Sequence, residues 1–184
     1  MAKKVCVFLA DGFEEIEGLT VVDLLRRAEV DVTTVSIMKR NLIHGAHGID
    51  VVADCLFEEK EYGEEDMLVL PGGMPGTTYL GEHRKLNEIL KKFHNEQKYL
   101  AAICAAPSVF GKAGFLKGRK ATCYPSMENT LEGAEFVDDE VVRSGHIITS
   151  RGMGTAIEFS MMIIEVLKGK ETAEELKKAI VYRQ

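Results

Sequence analysis

Lys4-Val5-Cys6-Val7-Phe8-Leu9-Ala10-Asp11-Gly12-Phe13-Glu14-Glu15-Ile16-Glu17 is the stretch on which the fold turns. It opens as an apolar run and stops at Asp11-Gly12. A short run of this kind is what a strand buried on both faces looks like. Glu14 to Ala28 follows with helical spacing. Ile16, Leu19 and Val22 step along one side, and Leu24 and Leu25 widen the stripe. Val30 to Ile37 is rich in β-branched residues, alternates, and reads as a second strand. Strand, helix and strand in succession form a βαβ unit, so a parallel sheet is predicted.

Further along, Leu42 to Asp54 holds His44-Gly45-Ala46-His47-Gly48 between short apolar runs, which predicts a hairpin. Glu58 to Asp66 carries six acidic residues and reads as a solvated turn or short helix. Met67 to Leu70 is another buried strand, stopped by Pro71-Gly72-Gly73-Met74-Pro75-Gly76. Leu86 to Phe93 is an amphipathic helix, and Tyr99 to Ile103 is a strand with Cys104 at its end. Ala105 to Phe115 reads as a helix with Pro107 in its first turn, where a missing N–H costs least. Lys120–Cys123, Glu135–Val137, Val141–Val142 and Ile147–Thr149 read as short strands. Ala156–Leu167 is a strongly apolar helix and Thr172–Tyr182 a terminal one. With no repeat, low-complexity segment or linker, the chain reads as one α/β sandwich domain, 1–184, around a mostly parallel sheet.

Composition narrows the function. The chain has 184 residues, 46% of them hydrophobic, and 23 basic against 29 acidic side chains, a formal charge of −6. An acidic chain without a basic run is a poor binder of phosphate backbones, so nucleic acid is not an expected partner. No apolar run approaches the roughly 20 residues that span a bilayer, and the start has no cleavable signal pattern. A cytoplasmic protein is expected. Cys6, Cys55, Cys104 and Cys123 show no CxxC spacing and read as free thiols.

In an open α/β sheet, ligands bind at the carboxyl ends of strands. Three such ends carry chemistry: Asp11 to Glu17, Pro71-Gly72-Gly73 and Cys104-Ala105-Ala106-Pro107. Cys104 stands between a buried strand and an immediate helix, with small neighbours that permit a sharp turn. This is the logic of a nucleophile elbow without its GxSxG letters. The helix start beside it favours an anion and predicts a lowered thiol pKa. Gly72-Gly73 lets backbone approach closely and points N–H donors into a cleft, as an oxyanion hole requires. Glu14 and Glu17 share a helix face that looks toward the cleft, where a partly buried carboxyl shuttles protons. Any of Glu14, Glu15 and Glu17 is otherwise an ordinary solvated helix start. Cys6 reads as core, while Cys55 and Cys123 stay unassigned. His44 and His47 read as exposed loop rather than as a metal site, and His83, His94 and His146 as isolated surface residues. No metal or cofactor is expected.

Four blocks together resemble the DJ-1/PfpI superfamily, in its DJ-1-like branch, whose bacterial members often carry the label ThiJ. They are Ala10–Glu17, Val69–Gly73, Ala101–Pro107 and Thr149–Thr155. The resemblance implies a flavodoxin-like three-layer sandwich and a homodimer. It matches Cys104 to the family's oxidisable nucleophile and Glu17 to the carboxyl that hydrogen-bonds it. Gly73 and Ala105 match the positions whose amides line the oxyanion pocket. The implied activities are glutathione-independent glyoxalase and deglycase action on small dicarbonyls or glycated substrates, with oxidative-stress protection and chaperone-like behaviour. Two departures stand out. Ala105 occupies the place of the His that follows the nucleophile in PfpI-type proteases, so a Cys-His protease is not implied. Tyr124, in Cys123-Tyr124-Pro125, replaces the pocket His of human-type relatives, which leaves Glu17 as the acid/base. A non-enzymatic redox sensor or redox-responsive chaperone is the competing reading. The thiazole-biosynthesis role suggested by the ThiJ label finds no phosphate or nucleotide motif.

Overall fold

The computed structural model describes residues 2–183. In chain order the strands are β1 (Lys4–Leu9), β2 (Asp31–Ser36), β3 (Leu42–His44), β4 (Asp50–Val52), β5 (Cys55–Leu56) and β6 (Met67–Leu70). They continue with β7 (Tyr99–Ile103), β8 (Lys120–Ala121), β9 (Glu135–Phe136), β10 (Val141–Ser144) and β11 (Ile147–Ser150). The helices are α1 (Glu15–Arg27), α2 (Gly76–Glu82), α3 (Arg84–Asn95), α4 (Pro107–Lys112), α5 (Ala156–Lys168) and α6 (Lys170–Ala179).

A seven-stranded sheet runs β10-β11-β7-β6-β1-β2-β5, and every pair is parallel except β10 with β11. Strand alternation sorts the side chains of β1 onto two faces. Val5, Val7 and Leu9 join Val21 and Leu25 of α1 and Phe159 and Ile163 of α5. Cys6 and Phe8, with Ala10 just after the strand, join Leu86, Leu90 and Phe93 of α3 and Phe110 of α4. The result is the flavodoxin-like sandwich the sequence implies. From β1 the chain winds outward through β2 to β5, then returns to place β6 on the other side of β1. That reversal opens a crevice at the carboxyl ends of β1 and β6, next to β7. Among the described residues no helix is long and apolar enough to cross a membrane.

Several local readings change. Helix α2 was not expected, because Gly76, Thr77, Thr78 and Gly81 are poor helix formers; it forms by packing on α3 and α4. The helix expected over 105–115 is shorter, Pro107–Lys112, and Gly114 behind it has φ +77°. The acidic stretch is not wholly solvated. Glu65 is 2% exposed, with Lys60 Nζ at 3.0 Å and Cys6 Sγ at 3.8 Å.

Nor are the three histidines isolated on the surface. His83 Nδ1 accepts from Leu86 N–H at 3.1 Å and caps α3. His146 is buried, with Nε2 3.0 Å from His94 Nδ1. Burial, then Arg119 and His94, push the His146 pKa down to about 4. A histidine depressed in this way contributes stability above its unfolded pKa, and that contribution fades as pH falls from about 6.5 toward 4. We therefore expect the stability advantage of the wild type over His146→Gln to shrink by about 2 kcal/mol between pH 7 and pH 5. Denaturant unfolding at both pH values checks this, and parallel pH curves for the two proteins would contradict it.

Candidate active site

Cys104 sits between the last residue of β7 and the first turn of α4, with φ +64°. A non-glycine residue in the left-handed region is strained and persists only when its surroundings hold it. Here two long-range bonds do so. Its N–H donates to Ser150 O at 2.9 Å, and its carbonyl accepts from Tyr124 N–H at 2.9 Å. The elbow is thus pinned between the end of β11 and the segment after β8. The backbone N–H groups of Ala105 and Gly73 face the sulfur and work to lower its pKa.

Glu17, in the first turn of α1, is 1% exposed. Its Oε2 accepts from Gly72 N–H at 2.9 Å, and its carboxyl interacts with the Cys104 thiol. The Gly72 amide therefore serves Glu17 and not the cleft. Gly72 must lack a side chain. A Cβ there would lie 2.6 Å from both Cys104 Cβ and Glu17 Oε2. Gly73 has φ +89°, and a Cβ on it would lie 2.3 Å from Glu14 N. The glycine pair lets the β6–α2 loop nest against the β1–α1 loop while one amide reaches each partner.

Burial pushes the Glu17 pKa up to about 7, aided by the charge of Glu14 and opposed by bonds from Cys104 and Gly72. Burial, then the charge and hydrogen bond of Glu17, push the Cys104 thiol up to about 12, against the amides of Ala105 and Gly73. The thiol is therefore raised, where the helix start alone predicted a lowered value. Six-residue α4 supplies a weak field, whereas desolvation and a neighbouring carboxylate both oppose a thiolate. At neutral pH the pair carries at most one negative charge, and that charge rests on Glu17.

Tyr124 is half-exposed at the rim. Gly152 lies beside its ring, and a Cβ there would be 3.4 Å from Tyr124 Cδ2 and 3.9 Å from Glu17 Oε1. Exposed Ile16, Met74 and Met153 are each adjacent in sequence to Glu17, Gly73 or Gly152.

The start of α1 carries a feature the sequence reading missed. Glu15 is not a solvated helix start; it is 3% exposed. Its Oε1 accepts from His47 N–H at 2.7 Å, and its Oε2 lies 3.1 Å from His47 Nδ1. Glu14 Oε2 is 3.3 Å from the same nitrogen. Burial works to raise the Glu15 pKa, but the His47 amide and further hydrogen bonds hold it below the usual range. Glu15, then Glu14, raise that of His47. The hairpin histidine is thus anchored to the site's acidic helix start. Glu14, Glu15 and His47 bring ligand-type atoms within 4.8 Å of one another. Because both carboxylates engage His47 Nδ1, a cation there would have to displace the imidazole proton. The sequence reads His47 as exposed loop, and only the tertiary fold supplies its acidic partners.

Comparison with known proteins bears on the whole arrangement. The DJ-1/PfpI family model matches residues 3–166. DJ-1 homolog B of Arabidopsis thaliana is 41% identical over 98% of this chain, but the chain spans only 42% of that protein's length. A deglycase of Pyrococcus abyssi is 37% identical over 90% of this chain and 99% of the relative. The solved structure of oxidised DJ-1 from Toxoplasma gondii superposes with a TM-score of 0.95 at 35% identity, covering 100% of both chains. A family match running from β1 into α5, together with a likeness of fold over the whole chain, places this protein in the DJ-1/PfpI family.

Proposed function

We propose that the protein converts small reactive dicarbonyls without glutathione or any cofactor, with Cys104 as nucleophile and Glu17 as acid/base. The observation that carries this reading is a buried carboxyl with its pKa near 7 against a thiol that two backbone amides face. A general base works best when its pKa lies near the working pH.

With methylglyoxal, the Glu17 carboxylate takes the thiol proton as sulfur attacks the aldehyde carbon. A C–S bond forms, and the developing alkoxide sits near the amides of Gly73 and Ala105. Protonation by Glu17 gives a hemithioacetal. Glu17 then removes the proton from the former aldehyde carbon and returns it to the neighbouring ketone carbon. The first carbon is oxidised to a thioester while the second is reduced to an alcohol. Water cleaves the C–S bond, releasing lactate and the thiol. The sum is methylglyoxal plus water to lactate, with no outside oxidant. The Pyrococcus abyssi relative named a deglycase supports substrates of this class.

Exposed Ile16, Ile49, Val52 and Met153 support a homodimer as the working form. The test of function is lactate formation from methylglyoxal in the absence of glutathione, followed to steady state. Turnover above buffer supports the reading. No lactate, together with selective oxygen addition at Cys104 under mild peroxide, would transfer the site to redox sensing. That alternative draws on the same glutamate, which when protonated can donate to an oxidised sulfur.

A further inference from the structure

The β3–β4 hairpin docks on the start of α1 through hydrogen bonds that converge on one histidine. Gly12 N–H donates to His44 O at 2.7 Å, and Ala46 N–H donates to Phe13 O at 2.9 Å. Glu15 Oε1 accepts from His47 N–H at 2.7 Å and from Ile49 N–H at 3.4 Å. The turn leaves no slack, since a Cβ on Gly45 would overlap the Glu15 carboxyl. On its other side the same segment meets the glycine pair, where Glu14 N–H donates to Gly72 O at 2.9 Å. Glu14 stands three residues before Glu17, a spacing that makes side chains neighbours at a helix start. His47, Glu14, Glu15 and Glu17 thus belong to one packed junction.

The acidic groups of this junction are unequally neutralised. Asp11 has Arg40 Nη2 at 2.6 Å, and Asp50 has His44 Nδ1 at 2.6 Å. Among the described residues, the one basic side chain paired with Glu14 or Glu15 is His47. Its Nδ1 lies 3.3 Å from Glu14 Oε2 and 3.1 Å from Glu15 Oε2. A ring nitrogen between two carboxylates carries a proton, and the two charges favour the imidazolium. Glu17 in turn faces the Cys104 thiol, the Gly72 amide and the charge of Glu14. A Glu14 carboxylate without a counter-ion opposes ionisation of Glu17, and a cation against Glu14 relieves that opposition.

We propose that His47 is a positioning residue for the acid/base: its imidazolium holds the hairpin on the helix start and neutralises Glu14, so that Glu17 becomes a carboxylate more readily than the acidic helix start alone would allow. The proposal rests on the reading of Glu17 as the acid/base. His47 acts through Glu14 and takes no part in bond making. The consequence falls on the acid limb of the pH–rate profile, where the fraction of Glu17 carboxylate limits proton removal from the thiol. Well above the titration of Glu17 the carboxylate is fully formed with or without His47, and the rate no longer depends on it.

The experiment follows the Glu17 carboxyl directly, by carbon-13 NMR titration of the intact chain, with the signal assigned by its loss in Glu17→Gln. His47→Gln is expected to raise the Glu17 midpoint by about 0.3–0.5 pH unit. His47→Arg keeps a positive charge and is expected to restore the wild-type midpoint. In a Glu14→Gln background, the shift caused by His47→Gln is expected to shrink to less than about half. With methylglyoxal as substrate, kcat/KM of His47→Gln falls about two- to threefold near pH 6 and matches the wild type near pH 8.5. Coincident midpoints in wild type and His47→Gln overturn the proposal. So does a shift that persists in full when residue 14 is glutamine, or one that arginine does not reverse. A loss of kcat/KM equal at both pH values, with the midpoint unmoved, marks His47 as merely structural and overturns it likewise. If the wild type turns over no dicarbonyl, the acid/base reading of Glu17 fails separately. The NMR midpoints then decide alone whether His47 sets the ionisation of Glu17.

Discussion

Cys104→Ser is expected to lower methylglyoxal turnover by at least about a thousandfold. The reason is specific to this environment. A serine hydroxyl is a far weaker acid than a thiol, and the pocket already opposes ionisation. Burial and the Glu17 carboxylate push even the thiol up to about 12. The two amides facing the sulfur cannot compensate for an alkoxide in their place. The substitution changes one atom, so the elbow at φ +64° and its two backbone bonds to Ser150 and Tyr124 are retained. The thermal midpoint is expected to move little, which separates loss of chemistry from loss of fold. The measurement is lactate formed per protein chain, with the midpoint recorded on the same preparation. More than a tenth of wild-type turnover in a folded Cys104→Ser protein would remove Cys104 from the mechanism.

Glu17→Gln is expected to move three observables in a pattern that a merely structural role does not produce. Turnover falls by about a hundredfold or more, because no group remains to move the proton between adjacent carbons. Alkylation of Cys104 at pH 8 becomes several-fold faster. The Glu17 charge is the second cause holding the thiol up, and its removal makes the thiolate easier to form. Stability rises at alkaline pH. Glu17 has its pKa near 7 in the folded protein, against about 4.3 in an exposed glutamate. A raised pKa contributes stability below the unfolded value and loses it as pH rises through the folded value. At pH 8 the wild type therefore carries a cost on the order of 3 kcal/mol for ionising a buried carboxyl, and an uncharged glutamine does not. Unfolding free energies at pH 4.5 and pH 8 check this, with the gain confined to the higher pH. A variant with faster alkylation but undiminished turnover would keep the electrostatics and discard Glu17 as the acid/base. A site that holds a titratable group at such a cost illustrates how function is retained against stability.

The parallel sandwich was legible because its signals are local. Apolar runs such as Lys4–Ala10 and Met67–Leu70, each ending in Gly or Pro-Gly, mark strands buried on both faces. The helical spacing over Glu14–Ala28 closes the βαβ unit. Strand ends in that topology converge on one crevice, so Glu17, Gly73, Cys104 and Ala105 could be grouped from their positions in the chain. Helix α2 and the fate of Glu65 were not legible, since each depends on what the segment packs against.

The sequence by itself determined most of the strands and helices, the elbow at Cys104 and a glycine turn at the end of β6. Only the tertiary structure decided the chemistry of those residues. The direction of each pKa at Cys104 and Glu17 follows from burial and from a neighbour distant in sequence, and neither is written in local pattern. The same holds for Glu15, which looked like a solvated helix start and instead anchors His47 at 3.1 Å, and for His146, buried against His94. Secondary structure follows from periodicity along the chain, whereas the charge state of a side chain follows from what folding brings around it.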